Sequence, residues 1–169
     1  MSDSTMSDNI KSEGAPSRVF LVVVDETPEH RIAVRYAARR AAHTGGRVAL
    51  LYVIEPAELL HFQAIEELAR SERWEAADEL LHTLCDEIAP LAGSMPIVYI
   101  REGRTHDELL QLINEEPAIS ILVLAAGTGP EGPGPLIAYL TTGRLTARLR
   151  IPITIVPGGL TTDQVDQLS

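Results

Sequence analysis

The chain has 169 residues, which suits one domain with a substantial core, and its composition of 45% hydrophobic and 22% charged residues is that of a globular protein. Its formal net charge of −10 argues against a nucleic-acid partner and against docking on an anionic membrane, because both require a basic surface. No apolar run approaches the roughly 18 residues of a membrane span, and the N-terminal residues lack a signal-peptide pattern, so we expect a cytoplasmic protein.

The first predicted elements are a buried strand, a helix and a second buried strand. Residues 18–24 form a nearly continuous apolar run rich in β-branched residues, which is typical of a strand covered on both faces in a parallel sheet. In the helix that follows, Thr27 is the candidate N-cap, Pro28 the first helical residue and Gly45 the stop signal. Residues 47–56 repeat the pattern of a buried strand.

Strands and helices continue to alternate along the rest of the chain. Thr105 and Glu108 have the spacing of a capping box at the start of a short helix. The remaining elements are a long helix at about 63–89, a strand at 96–103, this short helix at 105–113, a strand at 119–126, a helix at 136–149 and a strand at 151–158. The alternation predicts an α/β domain with a five-stranded parallel sheet at 18–157, after a disordered tail at 1–17 and before a C-terminal tail at 158–169.

Two unusual loops are predicted to meet in a crevice between the carboxyl ends of the first and fourth strands, where such sheets bind ligands. Asp25 follows the first strand and either accepts hydrogen bonds from a base or ribose or caps the next helix. Residues 125–135, AAGTGPEGPGP, contain four glycines, which permit close approach to a phosphate, but the prolines remove three N–H donors. Hydroxyls are available at Thr128, Thr141 and Thr142. This segment is therefore either a phosphate-binding loop or a structural turn.

The sequence offers no recognised catalytic or metal-binding pattern. There is no Walker A motif, no serine in a nucleophile elbow and no pair of histidines at helical zinc spacing. The single cysteine, Cys85, lies in an apolar helical context and is predicted to be a buried hydrophobic residue. We therefore predict a binding protein with neither catalytic residues nor a metal site, rather than an enzyme.

Between residues 18 and 157 the chain resembles the universal stress protein family. The likeness is carried by VFLVVVDET, GGRVALLYVIEP, REGRTHDELLQLI and ILVLAAGTG, followed by IPITIVP. The resemblance implies a Rossmann-like three-layer domain with strand order 3-2-1-4-5 and helices on both faces. It also implies a stress-response role and a homodimer that pairs the last strand, at 151–157.

The resemblance further implies an adenine-nucleotide site for ATP or AMP. Its base side would comprise Val24, Asp25 and Val53, and its phosphate side Ala126, Gly127, Gly129, Gly132, Thr141 and Thr142. The family's phosphate motif is Gly-x-x-Gly, nine residues, then Gly-Ser/Thr. Here Pro130 stands at the second glycine, and the TTG that contains Thr142 stands where Gly-Ser is expected. The base side is thus retained and the phosphate side is altered.

Two alternatives to nucleotide binding stay open. One is a ligand-free interaction module of the same fold, in which Trp74, set among charged residues, is an exposed anchor for a partner. The competing interpretation of Trp74 is that it packs over the edge of the sheet. The other alternative is a weak ATPase.

Overall fold

Five parallel strands form the central sheet: β1 Val19–Val23, β2 Arg47–Ile54, β3 Ile97–Glu102, β4 Ile119–Ala126 and β5 Ile153–Pro157. Their order across the sheet is β3-β2-β1-β4-β5. The sheet and its strand order confirm the predicted fold class. The computed structural model describes residues 17–56 and 63–169. The N-terminal tail that was predicted to be disordered, residues 1–17, lies outside the described residues except for Ser17.

Helices cover both faces of the sheet, because side chains along β1 alternate between two hydrophobic cores. The helices are α1 His30–Thr44, α2 Gln63–Ala92, α3 Thr105–Glu115, α4 Pro135–Thr141 and α5 Thr162–Leu168. Phe20 and Val22 pack in a core with α1 and α2, whereas Leu21 and Val23 pack in a core with α3 and α4. Burial on both faces explains why the sequence of β1 is continuously apolar. In the two described segments, no helix combines the length and the apolar character needed to cross a bilayer.

Helix α1 lies close against the sheet because its inner face is lined by alanines. Ala33, Ala37 and Ala41 are at most 1% exposed. The helix ends at Gly45, which has a φ of 69° and is followed by β2. These features confirm the predicted core face and the predicted stop of the helix.

The start of α1 differs from the prediction. The helix begins at His30 rather than at Pro28, and the preceding residue, Glu29, makes no side-chain capping hydrogen bond. Thr27 does not cap the helix either, because its N–H and hydroxyl both donate to the carboxylate of Asp25. A local side-chain turn has therefore replaced the predicted cap.

The predicted capping box of α3 is also absent. Thr105 is the first helical residue rather than the N-cap, and its N–H and hydroxyl donate to Oε1 of Glu55, at 3.1 and 2.8 Å. Glu108 instead lies beside Gly103, where a Cβ atom would come within 2.7 Å of its Oε1. Tertiary partners from the end of β2 have thus displaced the local capping pair.

The helix predicted at 136–149 is interrupted. α4 stops at Thr141, Thr142 is extended with φ −100° and ψ 136°, and a 3₁₀ helix follows at Gly143–Arg148. Two adjacent threonines before a glycine form a helix poorly, because β-branched side chains and glycine both have low helical propensity.

The segment predicted as a C-terminal tail contains a helix, α5, that packs on α1. Thr161 and Gln164 form a capping box at its start. Val165 is fully buried, and Asp166 accepts two hydrogen bonds from Arg35, at 2.8 and 2.7 Å. The residues that follow β5 are therefore joined to the domain by apolar packing and by the ion pair of Asp166 with Arg35.

Candidate functional site

A cavity of about 640 Å³ opens at the carboxyl ends of β1 and β2. Three of the predicted site residues line it, namely Val24, Asp25 and Val53. The other lining residues come from the same strand ends and from α2, α3 and α4: Val23, Glu26, Tyr52, Ile54, Glu55, Arg73, Ala76, Thr105, His106, Pro135, Leu136 and Tyr139. Parallel sheets bind ligands at this edge, and the volume suits a small molecule.

The carboxylate of Asp25 is oriented by its own loop. Oδ1 accepts hydrogen bonds from the N–H and the hydroxyl of Thr27, at 2.9 and 2.5 Å. Among the described residues none donates to Oδ2, and the residue is exposed at the cavity. Asp25 therefore has one fixed oxygen and one oxygen free to accept from a ligand, and it does not cap α1.

The cavity is rich in carboxylates that sequence reasoning had not assigned to a site. Glu26 and Glu55 line the cavity together with Asp25. Among the described lining residues, the guanidinium group comes from Arg73. Burial, followed by the nearby charges of Glu26 and Asp25, raises the pKa of Tyr52. This negative environment favours a neutral or weakly charged ligand over a highly charged anion.

Helices α2 and α3 are tied to the end of β2 through Glu55. The hydrogen bond from the Thr105 hydroxyl, followed by that from its backbone N–H, lowers the pKa of the Glu55 carboxyl. Nη1 of Arg73 donates to the backbone carbonyl of Glu55 at 3.3 Å. One residue at the end of β2 therefore positions two walls of the cavity.

An aromatic pair forms a further wall. The rings of His106, in the first turn of α3, and Tyr139, on α4, have centroids 4.0 Å apart and planes inclined by 33°. Sequence reasoning had not brought these two residues together, because they are 33 positions apart and belong to separate predicted helices. An aromatic surface beside the apolar side chains of Val24 and Val53 can accommodate a flat ring.

None of the six residues predicted for the phosphate side lines the cavity: Ala126, Gly127, Gly129, Gly132, Thr141 and Thr142. The N–H of Gly127 donates to the carbonyl of Pro133 at 3.0 Å, and that of Gly132 to the carbonyl of Gly129 at 3.3 Å. The hydroxyls of Thr141 and Thr142 donate to backbone carbonyls one turn earlier in α4, at 2.7 and 2.6 Å. Much of the predicted donor set is therefore consumed within the loop and its helix.

The cavity also lies beside β2, not between β1 and β4 where it was predicted. The side chain of Glu29 lies at the ends of β1 and β4, where the hydroxyl of Thr128 donates to its Oε1 at 3.3 Å. A Cβ atom on Gly158, after β5, would lie 2.6 Å from Cγ of Glu29. Glu29 therefore connects the loops that follow β1, β4 and β5.

Trp74 is partly buried and belongs to the edge of the sheet. Its Nε1–H donates to Oε1 of Glu102, at the end of β3, with a distance of 2.8 Å. Arg70 donates to both oxygens of the same carboxylate, and these bonds, with that from Trp74, lower its pKa. The geometry favours the packed interpretation of Trp74 over an exposed anchor.

Cys85 is 7% exposed and packs in the core of α1 and α2, as predicted. Burial raises the pKa of its thiol, which disfavours the reactive thiolate. Within residues 17–56 and 63–169, no group of three or more histidine, cysteine, aspartate or glutamate side chains is placed to hold a metal ion.

Comparisons with known proteins agree with this fold. Among solved structures, the universal stress protein UspA from Lactobacillus plantarum is 17% identical, with a TM-score of 0.70 over 85% of this chain and 99% of that chain. A universal stress protein from Archaeoglobus fulgidus in complex with dAMP is 16% identical, with a TM-score of 0.58 over 83% of this chain and 98% of the other. Another, in complex with cAMP, is 16% identical, with a TM-score of 0.56 over 84% and 98%.

At such identities these structures establish the fold alone. No curated protein matches the chain. The model of the universal stress protein family matches residues 16–157, which is most of the sequence. The chain therefore belongs to the universal stress protein family.

Proposed function

We propose that this protein is a cytoplasmic stress-response module that binds adenosine or adenosine monophosphate in the cavity at the ends of β1 and β2. The observation that carries the proposal is the cavity itself, about 640 Å³ in volume, with Val24, Asp25 and Val53 in its lining. The universal stress proteins in complex with dAMP and with cAMP support this ligand class, since each of those ligands is an adenine nucleotide with one phosphate.

The walls of the cavity suit a purine nucleoside. Val24 and Val53 supply apolar surface, and the rings of His106 and Tyr139 supply an aromatic one. A flat base gains from both kinds of contact. Oδ2 of Asp25 then accepts a hydrogen bond from the amino group of the base or from a ribose hydroxyl, while Thr27 holds Oδ1.

The charges around the cavity argue for one phosphate at most. Asp25, Glu26 and Glu55 line it, and the whole chain carries a net charge of −10. A triphosphate would bring several negative charges toward these carboxylates, and the prolines and internal hydrogen bonds of the Gly-rich loop reduce the number of donors that could offset the repulsion. We therefore expect ATP to bind no more tightly than AMP.

Calorimetric titration of the full chain with adenosine, AMP and ATP tests the proposal. Asp25→Asn keeps the size of the side chain and removes its charge, and we expect it to weaken AMP binding about tenfold or more, since hydrogen bonds to charged groups contribute about 1.5–3 kcal/mol. Asp78→Asn, on the exposed face of α2, is the matched control and leaves binding unchanged. Absence of binding at millimolar AMP, or equal binding by Asp25→Asn, contradicts the proposal.

We also propose that the protein works as a homodimer in which β5 of one protomer pairs with β5 of another. β5 is an edge strand of the sheet, and Ile155 on it is 42% exposed. An edge strand presents unpaired backbone groups that a second copy can satisfy. Native mass spectrometry would report a dimer that Ile155→Lys disrupts. Val98→Lys, at the opposite edge on β3, is the control, and dissociation by both variants or by neither contradicts this interface.

A further inference from the structure

Glu29 lies where three loops meet at the carboxyl edge of the sheet. It is the last residue before α1, and its side chain reaches the loop after β4 and the turn after β5. The hydroxyl of Thr128 donates to its Oε1 at 3.3 Å. Its own backbone N–H, and then the hydroxyl and backbone N–H of Thr128, lower the pKa of the Glu29 carboxyl. A donor at the start of the Gly-rich loop, the hydroxyl of Thr128, is therefore directed at a carboxylate of the same chain.

The turn after β5 leaves room for this side chain. A Cβ atom on Gly158 would clash with the backbone carbonyl of Ala126 and would lie 2.6 Å from Cγ and 3.2 Å from Cβ of Glu29. The N–H of Gly158 donates to the carbonyl of Ala126 at 3.0 Å, which keeps the turn after β5 against the loop after β4. Gly159 also lies close to the loop after β4, because a Cβ atom added to it would be 3.7 Å from Cγ2 of Thr128.

A helix-capping role does not explain the arrangement. Glu29 occupies the N-cap position of α1, yet its side chain makes no capping hydrogen bond to that helix. Its carboxylate accepts a hydrogen bond instead from the hydroxyl of Thr128, 99 positions away in the sequence.

Part of the donor set of the loop is already used or missing. Gly127 and Gly132 donate within the loop, and the prolines at 130 and 133 have no N–H. A phosphate chain that approached Thr128 would compete with Glu29 for the hydroxyl of that residue and would meet the negative charge of the glutamate. Both effects oppose a polyphosphate and leave a ligand in the cavity beside β2 unaffected.

Resting on the proposed nucleotide site, we infer that Glu29 sets the phosphate selectivity of that site. Its carboxylate is an internal anion that occupies the hydroxyl of Thr128, so the site accepts a nucleoside or its monophosphate and rejects a polyphosphate chain. Removal of this carboxylate converts the loop into a phosphate acceptor.

Glu29→Ala and Glu29→Gln test the inference, with Glu131→Gln as the control. Glu131 is an exposed carboxylate of the same loop, so its replacement makes the same change in charge without freeing the donors of Thr128. In calorimetric titrations at matched ionic strength, we expect Glu29→Ala to tighten ATP binding about tenfold while AMP binding changes less than about threefold. Glu29→Gln should act in the same direction, and Glu131→Gln should change the ratio of the two affinities less than about threefold.

A second titration separates this inference from the proposed function. Sodium tripolyphosphate carries no base, so its binding does not depend on the cavity. In two-dimensional ¹⁵N–¹H spectra, we expect it to shift the amide signals of Thr128 and Gly129 in Glu29→Ala and not in the unmodified protein. An unchanged ATP-to-AMP ratio in both Glu29 variants, or no shift at Thr128, overturns the inference. If AMP binds to no variant, the proposed function fails, and the shift at Thr128 still decides the role of Glu29.

Discussion

The N–H and the hydroxyl of Thr27 both donate to Oδ1 of Asp25, at 2.9 and 2.5 Å. The pair closes a short turn between β1 and α1, and it fixes the direction in which the second carboxylate oxygen faces the cavity. Thr27 is therefore a positioning residue for the proposed ligand rather than a contact of its own.

Replacement of Thr27 should weaken ligand binding without affecting the fold. Thr27→Val removes the hydroxyl and keeps the shape, and we expect AMP affinity to fall about three- to tenfold, since a typical hydrogen bond contributes about 1 kcal/mol. Thr27→Ser retains the hydroxyl and should restore most of the affinity. Calorimetry with AMP measures the effect, and a loss of affinity in the serine variant with full affinity in the valine variant would show that the methyl group of Thr27 matters instead of its hydroxyl.

The aromatic wall gives a second prediction. Tyr139→Ala removes one ring of the pair with His106, and we expect AMP binding to lose about 1–3 kcal/mol, the usual contribution of stacking against a base. Tyr139→Phe keeps the ring and should bind AMP within about twofold of the unmodified protein. If the phenylalanine variant loses as much affinity as the alanine variant, the hydroxyl of Tyr139 and not its ring carries the interaction.

The packing of α5 on α1 predicts a cost for truncating Val165. This side chain is fully buried, so Val165→Ala should lower the free energy of unfolding by about 1–3 kcal/mol, as expected for a deletion that leaves a cavity. Val98→Ala, on the edge strand β3, is 39% exposed and should cost less than about 0.5 kcal/mol. Urea denaturation of the three proteins gives both values, and equal effects would mean that α5 contributes no buried contact in solution.

The ion pair between Arg35 and Asp166 predicts a dependence of stability on pH. The hydrogen bond from Arg35, helped by the charges of Arg35 and Arg39, holds the pKa of the Asp166 carboxyl below its usual value of 3.8. Because the folded-state pKa is the lower one, the contribution to stability is fully present above the unfolded value and is lost as the pH falls through the folded one.

A double-mutant cycle measures directly how much the ion pair between Arg35 and Asp166 contributes to the free energy of unfolding. The coupling between Arg35→Gln and Asp166→Asn, taken from free energies of unfolding, should be favourable near neutral pH and should decline below a pH of about 3.8. It should also weaken as salt is added, since both side chains are partly exposed. A coupling that stays constant across this pH range, or one that rises as the pH falls, contradicts the assignment.

The fold was readable from the sequence because its signals are local and repeated. The continuous apolar run of β1 indicated burial on both faces, and the alanines of α1 marked its core face. Helix boundaries were harder to predict from the sequence. The hydroxyl of Thr105, for example, could have formed a local capping box, but in the structure it donates to Glu55. The start of α5 did carry a local signal, because Thr161 and Gln164 have the spacing of a capping box.

The candidate site was predictable only in part, because its two halves depend on different kinds of information. Asp25 and Val53 follow from their positions at the ends of adjacent strands. The contact between His106 and Tyr139, and the reach of Glu29 to Thr128, depend on how separate helices and loops pack, and no spacing in the sequence reports this.

The proposed nucleotide site is tested most directly by titration of the ¹⁵N-labelled full chain with AMP, followed by two-dimensional ¹⁵N–¹H spectra. We predict saturable shifts centred on the amides of Val24, Asp25, Val53 and Tyr139, which surround the cavity, and much smaller shifts at residues 127–132. Shifts confined to residues 127–132, or none at millimolar AMP, would contradict the proposed site.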